Sequence, residues 1–452
     1  MLTSRNPYTW ETNASFETLS DTEITTVIEQ AHETYLTRRD TPRSEKKALF
    51  LKLADLLDEK NEEMARLETI EMGMLYNASK KWLRSTANLI RRNANNFEKI
   101  LWNEEIKSEW LVWHIQYDSL GVIYGIAPWN FPFNQLLRAA VPNITAWNTV
   151  IYKHASNVPM CLQAIEQLFL DAWFPAWVFT KLFISASQSE KIIAHPYIQW
   201  VNITGSERAC AEIGAMASKQ LKPSITEWWW NDAFVLLDHK DMDAMVASAT
   251  ACRISYGGQK CNSSKRFIIL EKHYDEFVEK FGAYMSTQIV WDPMDIKTQV
   301  PPLSSAKLMK EIHSQVEKTV SEWATLITWG NIVDESRNLY APTVLANVST
   351  EMTSAREEVF WPVATVIKSK NIEESIKIAN DSDFWLSATV RWDDISQCKS
   401  VAARLEWGMI FINAPAWSKA SLPFGWVKKS WYGKENGPDG LKAFTNRKVV
   451  LY

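Results

Sequence analysis

Glycine is scarce in this chain. There are 14 in 452 residues, less than half the usual share of about 7%. Histidine is sparse too, with 7, and no two stand in an HxH or HxxxH pair, so no metal centre is expected. The five cysteines, Cys161, Cys210, Cys252, Cys261 and Cys398, lie far apart without a CxxC pair. That excludes a disulfide framework and implies a reducing compartment, the cytoplasm. The chain has neither a run long and apolar enough for a bilayer nor an apolar signal core in its first thirty residues, so no membrane is expected as a partner. A balance of 49 basic against 53 acidic residues leaves none of the basic excess of a nucleic-acid binder. What is present is a globular composition, 46% hydrophobic and 23% charged, and an abundance of tryptophan, 23 in all.

The N-terminal third reads as helices. Asp21 can cap a segment with apolar residues from Ile24 to Tyr35 at helical spacing, Ser44 a second leading on to Ile70, and a third runs from Lys80 to Leu101. Glu109 to Tyr117 alternates as a strand apolar on both faces. It is either buried in its own domain or an arm that pairs across a subunit boundary. From Gly121 to Leu237 short apolar runs alternate with helical stretches such as Phe133 to Ala146 and Met160 to Ala172. A second series follows from Met242 to Ile412, and Lys448 to Leu451 is a last strand candidate. Strands alternating with helices imply an α/β class with parallel sheets, in which ligands bind at the carboxyl ends of the strands.

Several residues could carry chemistry. Cys261 lies in the turn Gly257-Gly258-Gln259-Lys260-Cys261, where backbone N–H groups or Lys260 could favour a thiolate; an unpaired cysteine is equally at home as an inert small hydrophobe. Glu227 ends a strand and suits either a general base or a plain strand-end charge. Asn130, in Pro128-Trp129-Asn130-Phe131-Pro132, can donate to an oxyanion or merely make a turn. Lys153 ends another strand, within reach of a ribose or phosphate, or simply solvated.

Taken in order, these segments resemble the aldehyde dehydrogenase superfamily over nearly the whole chain. The landmarks are Ala127-Pro128-Trp129-Asn130-Phe131-Pro132, Lys153-His154-Ala155-Ser156, Thr204-Gly205-Ser206, Glu227, Gly258-Gln259-Lys260-Cys261, Glu357-Glu358-Val359-Phe360 and Pro423-Phe424-Gly425. The Lys153 stretch is most similar to the short bacterial NAD(P)-dependent succinate semialdehyde dehydrogenases. The resemblance implies a Rossmann-like cofactor domain (1–105 and 121–228), an α/β catalytic domain (229–430) and a β-strand oligomerisation arm (106–120 and 431–452). It implies Cys261 as nucleophile, Asn130 as oxyanion donor and Glu227 as the base that activates water. It places Trp129, Lys153, Ser156, Ser206, Glu358 and Phe360 at an NAD or NADP site, with Ser156 in place of a ribose-binding glutamate and therefore permissive of a 2′-phosphate. Arg138 matches a substrate-carboxylate ligand, while Ser255 stands where a second arginine is expected. The implied reaction is oxidation of a small aldehyde, succinate semialdehyde above all, to its carboxylate by a homodimer or homotetramer.

The missing glycines have addresses. Trp147, Trp173, Trp177, Trp229, Trp230, Trp291, Trp361, Trp385, Trp426 and Trp431 stand where the family pattern has glycine, Trp10 with them, and Cys210 and Pro301 replace two more. Glycine used for φ > 0 cannot become tryptophan without strain, and glycine used for close approach leaves no room for an indole. Trp228-Trp229-Trp230, just after the base, threatens the nicotinamide volume, and Trp426 and Trp431 the substrate mouth. The expectation is impaired activity; the rival readings are a catalytically silent scaffold of the same fold and a cofactor-independent thiol esterase.

Overall fold

The first long helix, Asp21–Arg38, is capped by Ser20, one residue before the expected Asp21. Ser20 accepts from the Glu23 N–H while the Glu23 carboxylate accepts from the Ser20 N–H, a reciprocal box that Asp21 is placed too late to make. The apolar stretch expected as one helix from Ser44 to Ile70 is two, Arg43–Glu59 and Asn61–Met72, broken at Lys60. Tertiary partners hold that break: Lys60 pairs with Asp171 at 2.6 Å, and the Asn61 amide donates to Lys80 O at 3.0 Å. Tyr76–Ile100 completes the helical layer. This computed structural model describes all residues but Glu109, Trp229, Trp230, Trp426, Lys429, Ser430 and Tyr452, and the backbone alone at Ser108, Phe384, Val427, Lys428, Trp431 and Tyr432.

Two sheets organise the rest. The first orders Trp431–Tyr432, Ser224–Glu227, Ile198–Thr204, Val122–Ala127, Thr149–His154 and Phe179–Lys181 side by side, all parallel except the first. Its central strands are largely buried because helices cover both faces. Gly125 sits opposite Tyr152, whose ring lies 2.1 Å from where a Cβ would be, so only glycine lets these strands pair. The second sheet runs Thr325–Thr328, Thr343–Ala346, Val363–Ser369, Arg266–Leu270, Ala233–Leu236, Ser387–Arg391 and Met409–Ile412. Ala233–Leu236, the last run of the first series in sequence, thus belongs to the second sheet, between Arg266–Leu270 and Ser387–Arg391.

Glu104–Ser108, Leu111–Asp118 and Asn446–Leu451 form a separate three-stranded antiparallel sheet. It is not buried in its own domain: Trp110 is 94% and Val449 59% exposed. Not all of 431–452 joins this arm, because Trp431–Tyr432 adds to the first sheet, pairing with Glu227 and Thr226.

The tryptophans divide by backbone. Trp10, Trp147, Trp173 and Trp177 hold φ between 64 and 70°, and so do two not singled out in sequence, Trp323 at 80° and Trp329 at 56°. Trp361 and Trp385, by contrast, have no positive φ and are fully buried in the apolar core around the second sheet. Trp229, Trp230 and Trp426 lie outside the described residues, as does the side chain of Trp431.

Candidate active site

A cleft of about 1320 Å³ opens between the two sheets. The carboxyl ends of the first sheet's strands supply one wall: Trp129 and Asn130 after Val122–Ala127, Lys153 in Thr149–His154, Gly205 and Ser206 after Ile198–Thr204, and Glu227. Cys261, Glu358 and Phe360 come from loops that lead into strands of the second sheet. Chain segments far apart in sequence therefore meet where the topology of open α/β sheets puts ligands. Ser156 is exposed just beyond Ala155, which lines the cleft.

Cys261 is buried, and that burial, with the charge of Glu227, pushes its thiol up to about 12 against the pull of Arg138 and Lys265. The Asn130 amide donates to Gln259 O at 3.0 Å, two residues before the sulfur. That bond fixes the amide beside the nucleophile turn, and an amide nitrogen has a second hydrogen to give. The turn itself requires glycine: Gly258 has φ +68°, and a Cβ there would lie 2.7 Å from the backbone carbon of Trp361.

Glu227 is 1% exposed. Arg138 Nη2 lies 2.8 Å from one of its oxygens and Thr204 Oγ1 donates to the same oxygen at 3.1 Å. Arg138 Nε in turn pairs with Glu435 at 2.5 Å. Burial raises the Glu227 carboxyl, Arg138 lowers it and Glu435 raises it again. Arg138, expected at a substrate carboxylate, is thus 4% exposed and held between two glutamates of its own chain, its guanidinium 4.6 Å from the Phe424 ring centroid.

The cleft fits a dinucleotide. The helix Glu207–Lys219 points its N-terminus into it through Ser206 and Arg208, an arrangement suited to phosphate. Lys153 lines the same wall, its Nζ donating to His154 O at 3.1 Å. Trp129 and Phe360 meet edge to face at 5.8 Å and give the cleft an aromatic corner. Trp228 lines the wall half-buried, packed against the apolar cluster of Ile203 and Ile213.

Comparison with known proteins settles the family: the aldehyde dehydrogenase family pattern matches residues 1–450. The chain belongs to the aldehyde dehydrogenase family. It is 37% identical over 448 residues to the succinate-semialdehyde dehydrogenase [NADP(+)] of Deinococcus radiodurans, covering 98% of this chain and 93% of that protein. It is 40% identical over 402 residues to the succinate semialdehyde dehydrogenase [NAD(P)+] of Escherichia coli, covering 88% and 87%. A succinic semialdehyde dehydrogenase from Streptococcus pyogenes, solved in complex with NADP+, superposes with a TM-score of 0.97 at 33% identity, covering 100% of this chain and 99% of that one.

Two residues of this dehydrogenase's site, Glu435 and Lys265, escape sequence reasoning, and Thr204 stands in the Thr204-Gly205-Ser206 landmark without a role assigned to it. Glu435 sits in a polar stretch with no local signal, and Thr204 is one of many strand-end hydroxyls. Lys265 had a signal: with Arg266 it opens a strand of the second sheet's middle, where a charge needs a partner.

Proposed function

We propose that the protein oxidises succinate semialdehyde to succinate with NADP through a covalent adduct on Cys261. The observation that carries this reading is the convergence of Cys261, Asn130 and Glu227 on one cleft with Lys153, Ser206, Glu358 and Phe360. The relatives' substrate supports the choice of aldehyde. Their cofactor, and an exposed Ser156 that sets no carboxylate against a 2′-phosphate, support NADP.

Cys261 gives up its proton to water in the cleft and its sulfur adds to the aldehyde carbon, forming an alkoxide that the Asn130 amide and the Cys261 N–H stabilise. Trp129, Lys153, Ser206, Glu358 and Phe360 would hold NADP in the cleft, where it would supply the hydride acceptor for the step that leaves a thioester on the sulfur. Glu227 accepts a proton from the water that attacks this thioester, and the sulfur departs as the leaving group. The Arg138 ion pair favours the ionised base. Meeting the far carboxylate of the substrate as well requires Arg138 to exchange Glu435 for it.

The three-stranded arm serves pairing with further copies of this chain, as a homodimer or homotetramer, and five unpaired, buried thiols support a cytoplasmic setting.

The test is NADP reduction by the purified protein. Succinate semialdehyde is expected to outperform an aldehyde of equal length without the carboxylate. Cys261→Ala should abolish the reaction, and Glu227→Gln should leave one burst of NADPH per site followed by slow turnover. Reduction that survives Cys261→Ala would refute the mechanism.

A further inference from the structure

We propose that Lys265 is a positioning residue that ties the backbone of the nucleophile to the cleft carboxylate Glu358. Lys265 is 1% exposed, directly before the strand Arg266–Leu270. Its ammonium lies 2.5 Å from Cys261 O, 3.5 Å from Lys260 O and 3.0 Å from a Glu358 oxygen, with the Phe360 ring centroid at 5.9 Å. These partners sit on two segments with no covalent closeness, the nucleophile turn and the loop after Thr353–Arg356. A buried ammonium cannot abandon its acceptors without a large desolvation penalty, so it holds both segments at once. In a trans peptide the carbonyl and the N–H point to opposite sides. Lys265 at the Lys260 carbonyl therefore turns the Cys261 N–H away from itself, leaving that donor for an oxyanion.

The role rests on the reading of Cys261 and Glu358 given above, and the test separates the two. Lys265→Met keeps the length and removes the charge; Lys265→Arg keeps the charge and changes its shape. NADP affinity is measured without aldehyde by tryptophan fluorescence, and kcat and KM from NADPH formation. The Met variant is expected to bind NADP about tenfold more weakly and to lose about ten- to hundredfold in kcat. The Arg variant should lose several-fold in both, because its wider fork cannot meet Cys261 O and Glu358 together. A folded Met variant with unchanged affinity and kcat overturns the role, and if that variant does not fold, wild-type affinity and kcat in the Arg variant do so. If the unmutated protein neither binds nor reduces NADP, the function itself has failed.

A separate observation concerns backbone rather than chemistry. Trp147, Trp173 and Trp323 each close a helix. Trp173 N–H donates to Leu170 O at 2.9 Å and Phe174 N–H to Phe169 O at 3.0 Å; the same pair recurs at Trp323 and Trp147. The left-handed residue of that closure is ordinarily glycine. Trp173 and Trp323 are 74% and 89% exposed, so little packing offsets the strain. With Trp10, Trp177 and Trp329, six tryptophans among the described residues adopt positive φ, in a chain of 14 glycines and 23 tryptophans. We infer that the cell that makes this protein inserts glycine at these six positions, decoding as glycine a codon otherwise read as tryptophan; glycine and tryptophan codons can differ in a single base. Peptide mapping by mass spectrometry of the protein isolated from its own cell is expected to show each position lighter by an indole-bearing side chain. Tryptophan masses at all six would overturn this.

Discussion

The two groups proposed to react, Cys261 and Glu227, are both buried acids. Cys261 is pushed up to about 12 by burial and by Glu227, and Glu227 is itself raised by burial, with Glu435 adding to it and Arg138 opposing. Each works in its deprotonated form, which becomes more populated as pH rises. NADP reduction is therefore expected to accelerate from neutral into alkaline conditions, and a pH–rate profile falling over that range would contradict the assignment. Strain is the other residue-scale quantity. Trp173 and Trp323 hold left-handed backbone with mostly exposed indoles. Trp173→Gly and Trp323→Gly should each stabilise the fold by about 1–2 kcal/mol, read as a higher urea midpoint with unchanged slope.

Among the elements, the two helices that make the first sheet's first two crossovers share an odd beginning. Pro132–Thr145 and Pro159–Asp171 both start with proline, after Phe131 and Val158, which offer no side-chain cap. Their caps come from elsewhere. Glu71 on Asn61–Met72 accepts from the N–H groups of Met160 at 2.8 Å and Cys161 at 2.7 Å. Glu68, one turn earlier, faces the Phe133 N–H. Glu71→Ala should cost about 1–2 kcal/mol in chemical denaturation, while Glu71→Gln, which keeps an acceptor, should cost less. The cap at Ser20 is local and could be read from spacing, give or take one residue. The caps at Pro132 and Pro159 could not, since their acceptors lie on another helix.

For the whole molecule, buried carboxyls set a pH dependence of stability. Burial raises Glu68 from 4.5 to about 7 and Asp232 from 3.8 to about 7, with hydrogen bonds from Ser79 and Ser387 and the Lys265 charge opposing. A carboxyl whose folded pKa is raised contributes stability that is complete below its unfolded value and lost as pH rises through the folded one. Urea stability is thus expected to decline between about pH 4 and 7 from these groups, and Glu68→Gln to flatten part of that slope. On the proposed pairing of copies through the three-stranded arm, deleting Asn446–Leu451, which pairs along Leu111–Asp118, should leave smaller species by light scattering.

The sequence by itself determined the α/β class, through apolar runs that alternate with helical periodicity. The family resemblance carried by short motifs also named Asn130, Lys153, Ser206, Cys261 and Glu358 as site residues, and all five line the cleft. Only the tertiary structure decided how the buried charges pair. Arg138 with Glu227 and Glu435, Lys265 with Glu358, and Trp431–Tyr432 beside Glu227 join segments distant in the chain. A buried charge requires a partner, but the strand order, not the neighbouring residues, chooses which one it meets.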